Sequence, residues 1–570
     1  MYLVGASKKD ITCFIKGVGM FGYGIHNHKV KDIETNLYVR TFVIEDDKGN
    51  LVALACAEIL SCTISIKTGV IEKLNNEYPE LKFNETNVMI SGTHTHSAPG
   101  GYSHYGIYNI SVPGFVPEVY ETLVNNITES IVEAHKKRTP AKISIGKASF
   151  DTKDEVAFNR SIKAYNKNPE IKKKVSTKDL HLALDREMTL LHFEDEKGKF
   201  IGSYNWFGVH TTSVGNDLHK ICSDNKGYAA EFLEGDIKNK NYVAAFAQAP
   251  CGDVSPNFIW NAKRNKMRGK YVDDYKSAKF NGELQYKKAK EIIENNEKVS
   301  LSGEIDTASV NINFLNYKVD SEFADGKKGK KTGGGCMGVS FLEGTTDGMG
   351  LNKFLSFLIR KLSTTNKKKE LLRENHPNEK SWKDAVEKYE IHGAKDIAIE
   401  TYDRKVLGVT DIDKLPLPNF VDEMVNTFKV QYKSGGLKEK RWAPQVLPIQ
   451  IITIGQLAIA AVPCEVTTVA GKRMKATVES ILKEKGIENT VIAPYSNGFS
   501  GYVTTYEEYQ VQLYEGGHTM FGEYTLAAYQ TELKKLAKEM LKPQPERKVD
   551  KETQPIRFTK EDLNKRSFKV

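Results

Sequence analysis

No stretch of the 570-residue sequence runs roughly 18 apolar residues without interruption, so no bilayer-spanning helix is expected. The sequence also lacks any Cys-x-x-Cys pair. Its seven cysteines, Cys13, Cys56, Cys62, Cys222, Cys251, Cys336 and Cys464, are scattered and odd in number. That pattern argues against a zinc-thiolate site and a disulfide framework, and fits a reducing compartment. No secretory leader is expected either, because Lys8, Lys9 and Asp10 stand where its apolar core would be. A cytoplasmic protein is therefore expected, or an extracellular or periplasmic one if the chain was trimmed. Charge of one sign is not concentrated: 82 basic and 73 acidic residues leave a net +9, and no nucleic-acid partner is implied. There is no internal repeat.

The residues that are present describe a globular chain. Hydrophobic residues make up 40%, aromatic 10% and charged 27%, which excludes the disordered and collagen-like classes. The length admits about three to five ordinary domains or one large elaborated domain. Apolar alternation over 38–44 and 51–59, on either side of Asp46-Asp47-Lys48-Gly49-Asn50, predicts a β-hairpin, with a helix over about 65–77. A strand at 88–91 then opens into the loop 92–101, and a helix follows over 121–137. The scheme returns with hairpin strands 190–193 and 201–209, helix 228–239, strand 242–247 and loop 250–257. Beyond it lie helix 283–295, strand 309–314, a Gly-rich stretch at 333–350 and a Lys-rich helical insertion, about 352–405, expected to be exposed. Strands 447–454 and 457–462 pair across Gly455-Gln456, followed by helix 467–485, strand 490–493 and a closing helix 524–541. The expected fold class is mixed α/β (α+β), sheets flanked by helices. Residues 543–570 read as a short charged tail with too little apolar content for a domain.

Unusual residues gather at strand ends. In Ser91-Gly92-Thr93-His94-Thr95-His96-Ser97, His94 and His96 are two apart and point to one side in extended backbone, as a metal site needs; a hydrogen-bonded loop pair is the alternative. His210 ends another strand and gains weight only jointly with them. A catalytic zinc takes three or four N and O ligands and keeps one position open, so a carboxylate is also wanted. Glu465, after the strand 457–462, is a candidate, and equally a helix-start carboxylate favoured by the dipole. Ser255, in Gly252-Asp253-Val254-Ser255-Pro256-Asn257, is a candidate nucleophile or part of a turn, and the segment is not a Gly-x-Ser-x-Gly elbow. Arg160 is able to clamp an anion or to form a surface ion pair. Tyr502, Tyr506, Tyr509, Tyr514 and Tyr524 suggest an amphipathic wall or packed core-edge tyrosines. Lys172–Lys174, Lys327–Lys331 and Lys367–Lys369 are read as solvated surface, with contact to an anionic membrane surface as the lesser reading.

Taken in order, these segments resemble the neutral (non-lysosomal) ceramidases, zinc-dependent N-acylsphingosine amidohydrolases. The resemblance runs through Gly5-Ala6-Ser7-Lys8-Lys9-Asp10-Ile11-Thr12, Gly92-Thr93-His94-Thr95-His96-Ser97, Asn159-Arg160-Ser161 and Asn205-Trp206-Phe207-Gly208-Val209-His210. It continues through Ser223-Asp224-Asn225-Lys226-Gly227-Tyr228, Gly252-Asp253-Val254-Ser255-Pro256-Asn257, Gly344-Thr345-Thr346-Asp347-Gly348, Glu465-Val466-Thr467-Thr468 and Gly501-Tyr502-Val503-Thr504-Thr505-Tyr506. It implies one zinc per chain held by His94, His210, Glu465 and Tyr502. It also implies proton transfer by His96, a site lined by Arg160 and Tyr514, and Ser255 at the nucleophile's position. Whether Ser255 attacks or positions the substrate stays open. Two departures, Cys464 and Ala98 where the family usually has Gly, remove no ligand. Convergence of ligands from His94 to Tyr502 implies one catalytic domain over 1–542, without a complete immunoglobulin-like domain after it. Ceramide is the implied substrate; another N-acyl lipid amide, or lipid binding without turnover, are the alternatives.

Overall fold

The computed structural model describes residues 1–112, 114–295, 297–415 and 423–567. Strands β1 (Tyr2–Asp10), β2 (Tyr38–Glu45), β3 (Leu51–Ala57), β4 (Val88–Gly92), β5 (Thr139–Ser149), β6 (Glu187–Asp195), β7 (Phe200–Phe207) and β8 (Val243–Gln248) make the larger sheet. Their spatial order is β8-β7-β6-β5-β1-β2-β3-β4, with Val299–Ser300 paired to β5. The predicted hairpin is β2 and β3, and the Asp46 carboxylate closes its turn by accepting from the N–H groups of Lys48 and Asn50. Neighbours are antiparallel except β3 with β4 and β7 with β8, which run parallel. A second sheet, β9 (Ile305–Asn313), β10 (Val446–Ile454), β11 (Leu457–Ala461) and β12 (Asn489–Ala493), is ordered by number and ends in a parallel pair.

Strand alternation decides how the sheets pack. On β2 and β3, Phe42, Ile44, Val52 and Leu54 point one way, while Val39, Val43, Ala53 and Ala55 point the other. The first set meets Ile452, Ile454, Leu457 and Ile459 of the second sheet in a shared apolar layer, with Phe193, Tyr204 and Trp206. The second set is covered by the helix Pro117–Lys136, and the outer face of the second sheet by the helix Thr525–Met540. The result is a helix, sheet, sheet, helix stack, in which each sheet buries both faces. Phe193 is fully buried and stacks on Phe42 at 4.7 Å. Phe193→Ala is expected to cost about 3–5 kcal/mol in urea unfolding, because the two sheets cannot collapse onto the void.

Several boundaries differ from the sequence reading, for local reasons. The helix expected over 283–295 begins at Asp274, because the Asp273 side chain caps it by accepting from the N–H groups of Tyr275 and Lys276. Its first turns are mostly polar and carry no apolar period. The Lys-rich insertion forms the helices Lys353–Glu370 and Glu379–His392, but then turns inward: Ile397–Glu400 is a buried strand paired with Cys336–Gly338. Much of the expected tail lies against the body. Arg547 pairs with Asp306, the Phe558 ring meets Tyr105 at 5.0 Å, and Ser567 bridges to Phe115. Residues 568–570 of that tail lie outside the described residues.

Candidate active site and metal centre

Three parallel strand pairs leave the two sheets at their carboxyl ends, and the loops that follow converge. His94 follows β4, His210 follows β7, Ser255 follows β8, Glu465 follows β11, and Tyr495 and Tyr502 follow β12. A crevice beyond the carboxyl ends of parallel strands is where α/β sheets present side chains to a ligand. His94 and Tyr495 sit there with φ of 73° and 58°, left-handed backbone that non-glycine residues seldom adopt without a compensating role.

The two histidines are oriented by backbone carbonyls. His94 Nδ1 lies 3.0 Å from Leu60 O, and His210 Nδ1 lies 2.8 Å from Cys251 O and 3.1 Å from Val254 O. Each Nδ1 therefore carries the proton, and each Nε2 presents a lone pair inward. Those lone pairs face an acceptor: Glu465 Oε2 is 3.1 Å from His94 Nε2 and 3.4 Å from His210 Nε2. Tyr502 Oη lies 3.4 Å from the same His210 nitrogen. Burial works to raise the Glu465 carboxyl, but His94 and His210 beside it hold it well below the usual range. Burial, with Arg160, lowers His210 to about 4. Two histidine ring nitrogens converging with a tyrosine hydroxyl on one carboxylate oxygen are the kind of N and O donor set that a divalent cation completes.

His96 stands at the edge of this group. Its Nε2 is 3.2 Å from His94 Nε2, and its buried Nδ1 has no hydrogen-bond partner. Burial first, then His94 and His210, keep it neutral, well below the ordinary histidine range. The ring is held edge-on by Tyr23 at 4.6 Å and backed by Gly22, where a Cβ would come within 2.5 Å of it. Ring nitrogens of His94, His96 and His210 all lie within 4.8 Å of one another, so this buried trio is itself a possible metal-holding group.

Arg160 is neither a surface ion pair nor a free clamp. Its side chain is buried, and it donates to Tyr502 Oη at 3.0 Å, Gly252 O at 2.9 Å, Asp347 Oδ2 at 3.1 Å and Glu515 Oε1 at 3.1 Å. Ser255 Oγ donates to Asp347 Oδ1 at 2.6 Å and accepts from the Asn257 N–H at 3.0 Å. A continuous hydrogen-bonded path thus runs from Ser255 through Asp347 and Arg160 to Tyr502. Tyr514 sets its ring 5.4 Å from Tyr502, under the Arg160 guanidinium. Asp347, Glu515 and Tyr495 also belong to the site, although no local pattern marks them. Asp347 falls inside the quoted Gly344–Gly348 run, and Glu515 adjoins Tyr514; Tyr495, whose ring lies 4.2 Å from that of His94, left no signal.

A cavity of about 520 Å³ opens over this centre. His94, His96, Arg160, Asp347, Glu465, Tyr502 and Tyr514 line one part, and the remaining wall includes Phe21, Ile107, Leu355, Ile399, Leu415 and Phe499. Ser255 is buried behind Asp347 and is not part of the lining. A small polar metal-type centre thus opens onto a large apolar cleft.

A family profile described as neutral/alkaline non-lysosomal ceramidase, N-terminal, matches residues 2–406 and 425–531. The chain belongs to this ceramidase family. Ceramidases of this kind are hydrolases of a linear amide C–N bond. Neutral ceramidase of Pseudomonas aeruginosa is 33% identical over 539 residues, covering 93% of this chain and 70% of its own length. Neutral ceramidase B of Dictyostelium discoideum is 32% identical, covering 95% of this chain and 72% of its own. Among solved structures, a ceramidase described as complexed with C2 superposes with a TM-score of 0.77 at 30% identity, over 95% of this chain and 75% of that one. The cytoplasmic expectation is corrected by these matches. It rested on how the chain begins, whereas the similarity is to neutral ceramidases, among them those of P. aeruginosa, Arabidopsis thaliana and Drosophila melanogaster, and nothing in them points to the cytoplasm. No helix among the described residues is long and apolar enough to cross a membrane.

Proposed function

We propose that this ceramidase-family chain is a zinc-dependent amidohydrolase that cleaves the N-acyl amide of ceramide into sphingosine and a fatty acid. One observation carries the reading: the inward lone pairs of His94 and His210 meet Glu465 and Tyr502 beside an apolar cavity. His94, His210, Glu465 and Tyr502 would hold one zinc per chain. When bound, zinc supplies Lewis acidity toward the amide carbonyl and toward water. The rest belongs to the chain's own side chains. Arg160 orients the Tyr502 hydroxyl and spreads positive charge beside it. Tyr514 faces the cavity as a hydrogen-bond donor for the oxygen that becomes negative as the amide is attacked, a role worth roughly 3 kcal/mol. His96, neutral and with an unpartnered Nδ1, takes up the proton that the attacking water or hydroxyl gives up and passes it to the departing amine. Asp347 accepts the hydrogen bond of the Ser255 hydroxyl, which supports that serine either as nucleophile or as the prop that sets Asp347 against Arg160. Residues 1–542 form the catalytic domain in this reading.

Purified protein should release fatty acid from a fluorescent short-chain ceramide, lose that activity to a chelator and regain it with zinc. Release from another N-acyl amide but not from ceramide would change the substrate and keep the mechanism; release that a chelator leaves untouched would end the metal reading. Asp347→Asn keeps the shape but weakens the pull on Arg160 and Ser255. It is expected to lower kcat roughly 10–100-fold with zinc content unchanged, read by steady-state kinetics beside metal analysis.

A further inference from the structure

We propose that the outer face of the helix Lys353–Glu370 docks the protein on a lipid bilayer carrying anionic headgroups, beside the opening of the substrate cavity. The helix is fixed at its start by Asn352, whose side chain accepts from the Leu355 N–H. Ser356, Ile359 and Ser363 are buried, and Leu355 and Ile359 line the cavity. The opposite face is apolar where solvent should make it polar: Phe354 is 72% exposed, Phe357 62%, Leu358 39% and Leu362 44%. These positions, spaced three and four apart, form one stripe along two turns. Large apolar side chains so grouped on a surface mark an interaction site.

The chemistry of the helix selects the partner. It carries six basic residues, Lys353, Arg360, Lys361, Lys367, Lys368 and Lys369, against the single acidic Glu370. Arg360 is engaged by Glu343 and Asp396, but Lys361, Lys368 and Lys369 are exposed. A second copy of this face would bring like charge against like charge, whereas an anionic headgroup layer is complementary to the lysines and admits the phenylalanines below it. Met349 ties this face to the site, since it lines the cavity and is 47% exposed. One helix therefore walls the cavity with one side and offers a membrane-binding stripe with the other. A two-chain amphiphile would pass from the bilayer to the metal centre without crossing water. The inference rests on the reading of a lipid amide as substrate.

The test is flotation with vesicles of phosphatidylcholine alone or mixed with phosphatidylserine, comparing the parent protein with F354S/F357S and, separately, K368Q/K369Q. The parent should float with the anionic vesicles and far less with the neutral ones. F354S/F357S should lose about tenfold or more of the bound fraction while its melting temperature and its kcat/KM on a dispersed short-chain ceramide stay unchanged. K368Q/K369Q should weaken only the salt-sensitive part of binding. A parent that floats with neither vesicle, or a double Phe variant that floats as well as the parent, would overturn the proposal. So would a parent dimer in light scattering that the Phe changes split, because the face would then be a contact between copies. Flotation needs no turnover: a parent that floats yet releases no fatty acid from ceramide retains the docking face and loses the substrate assignment.

Discussion

His210→Ala should abolish metal binding and, with it, turnover. His210 is the donor that both Glu465 and Tyr502 approach, within 3.4 Å each, and two carbonyls pin its Nδ1 so that Nε2 is held toward the centre. Loss of a ligand from a centre that supplies several kcal/mol of transition-state stabilisation predicts a fall in kcat/KM of about 10³ or more. Metal analysis of the purified variant should find well under one zinc per chain, against one for the parent. The same change at His94 should behave alike. His96→Ala should differ: if His96 moves protons rather than holding metal, zinc content stays and kcat falls by roughly 10²–10⁴. A His96→Ala protein that is empty of zinc would instead make the ligand set the trio of His94, His96 and His210.

Ser255→Ala should lose turnover, by about 10³ or more, with zinc content intact. The side chain is buried, donates at 2.6 Å to Asp347 and sits three hydrogen bonds from Tyr502. The size of the effect separates its two roles. An attacking serine should show a burst of amine release with a slowly deacylated substrate, and Asp347→Asn should then slow the burst itself. A serine that only props Asp347 should show no burst, and Ser255→Ala should then cost no more than Asp347→Asn, roughly 10–100-fold. Near-normal activity in Ser255→Ala would remove it from the mechanism altogether.

The ligand candidates were legible because they occupy strand ends, where an apolar run stops and a polar residue must face something other than core. His94, His210 and Glu465 all carry that mark. Arg160 carried it too, yet local sequence offered a surface ion pair, and only the fold shows it buried between Asp347, Glu515 and Tyr502. Asp347 and Glu515 are not legible locally, because a lone carboxylate in a Gly-rich or Tyr-rich stretch is ordinary until its partner arrives from 187 or 355 positions away. The same limit hid the buried strand Ile397–Glu400 inside a stretch whose lysines suggested solvent throughout.

By itself the sequence determined the class of the fold, since strand and helix periods are written in neighbouring residues and record which side of each element is buried. It also determined which donors stand at strand ends. Only the tertiary structure decided that two separate sheets turn their parallel carboxyl ends to one crevice. That depends on strand pairing and on the shared layer around Phe193 and Ile452, contacts between residues hundreds of positions apart that no local pattern encodes.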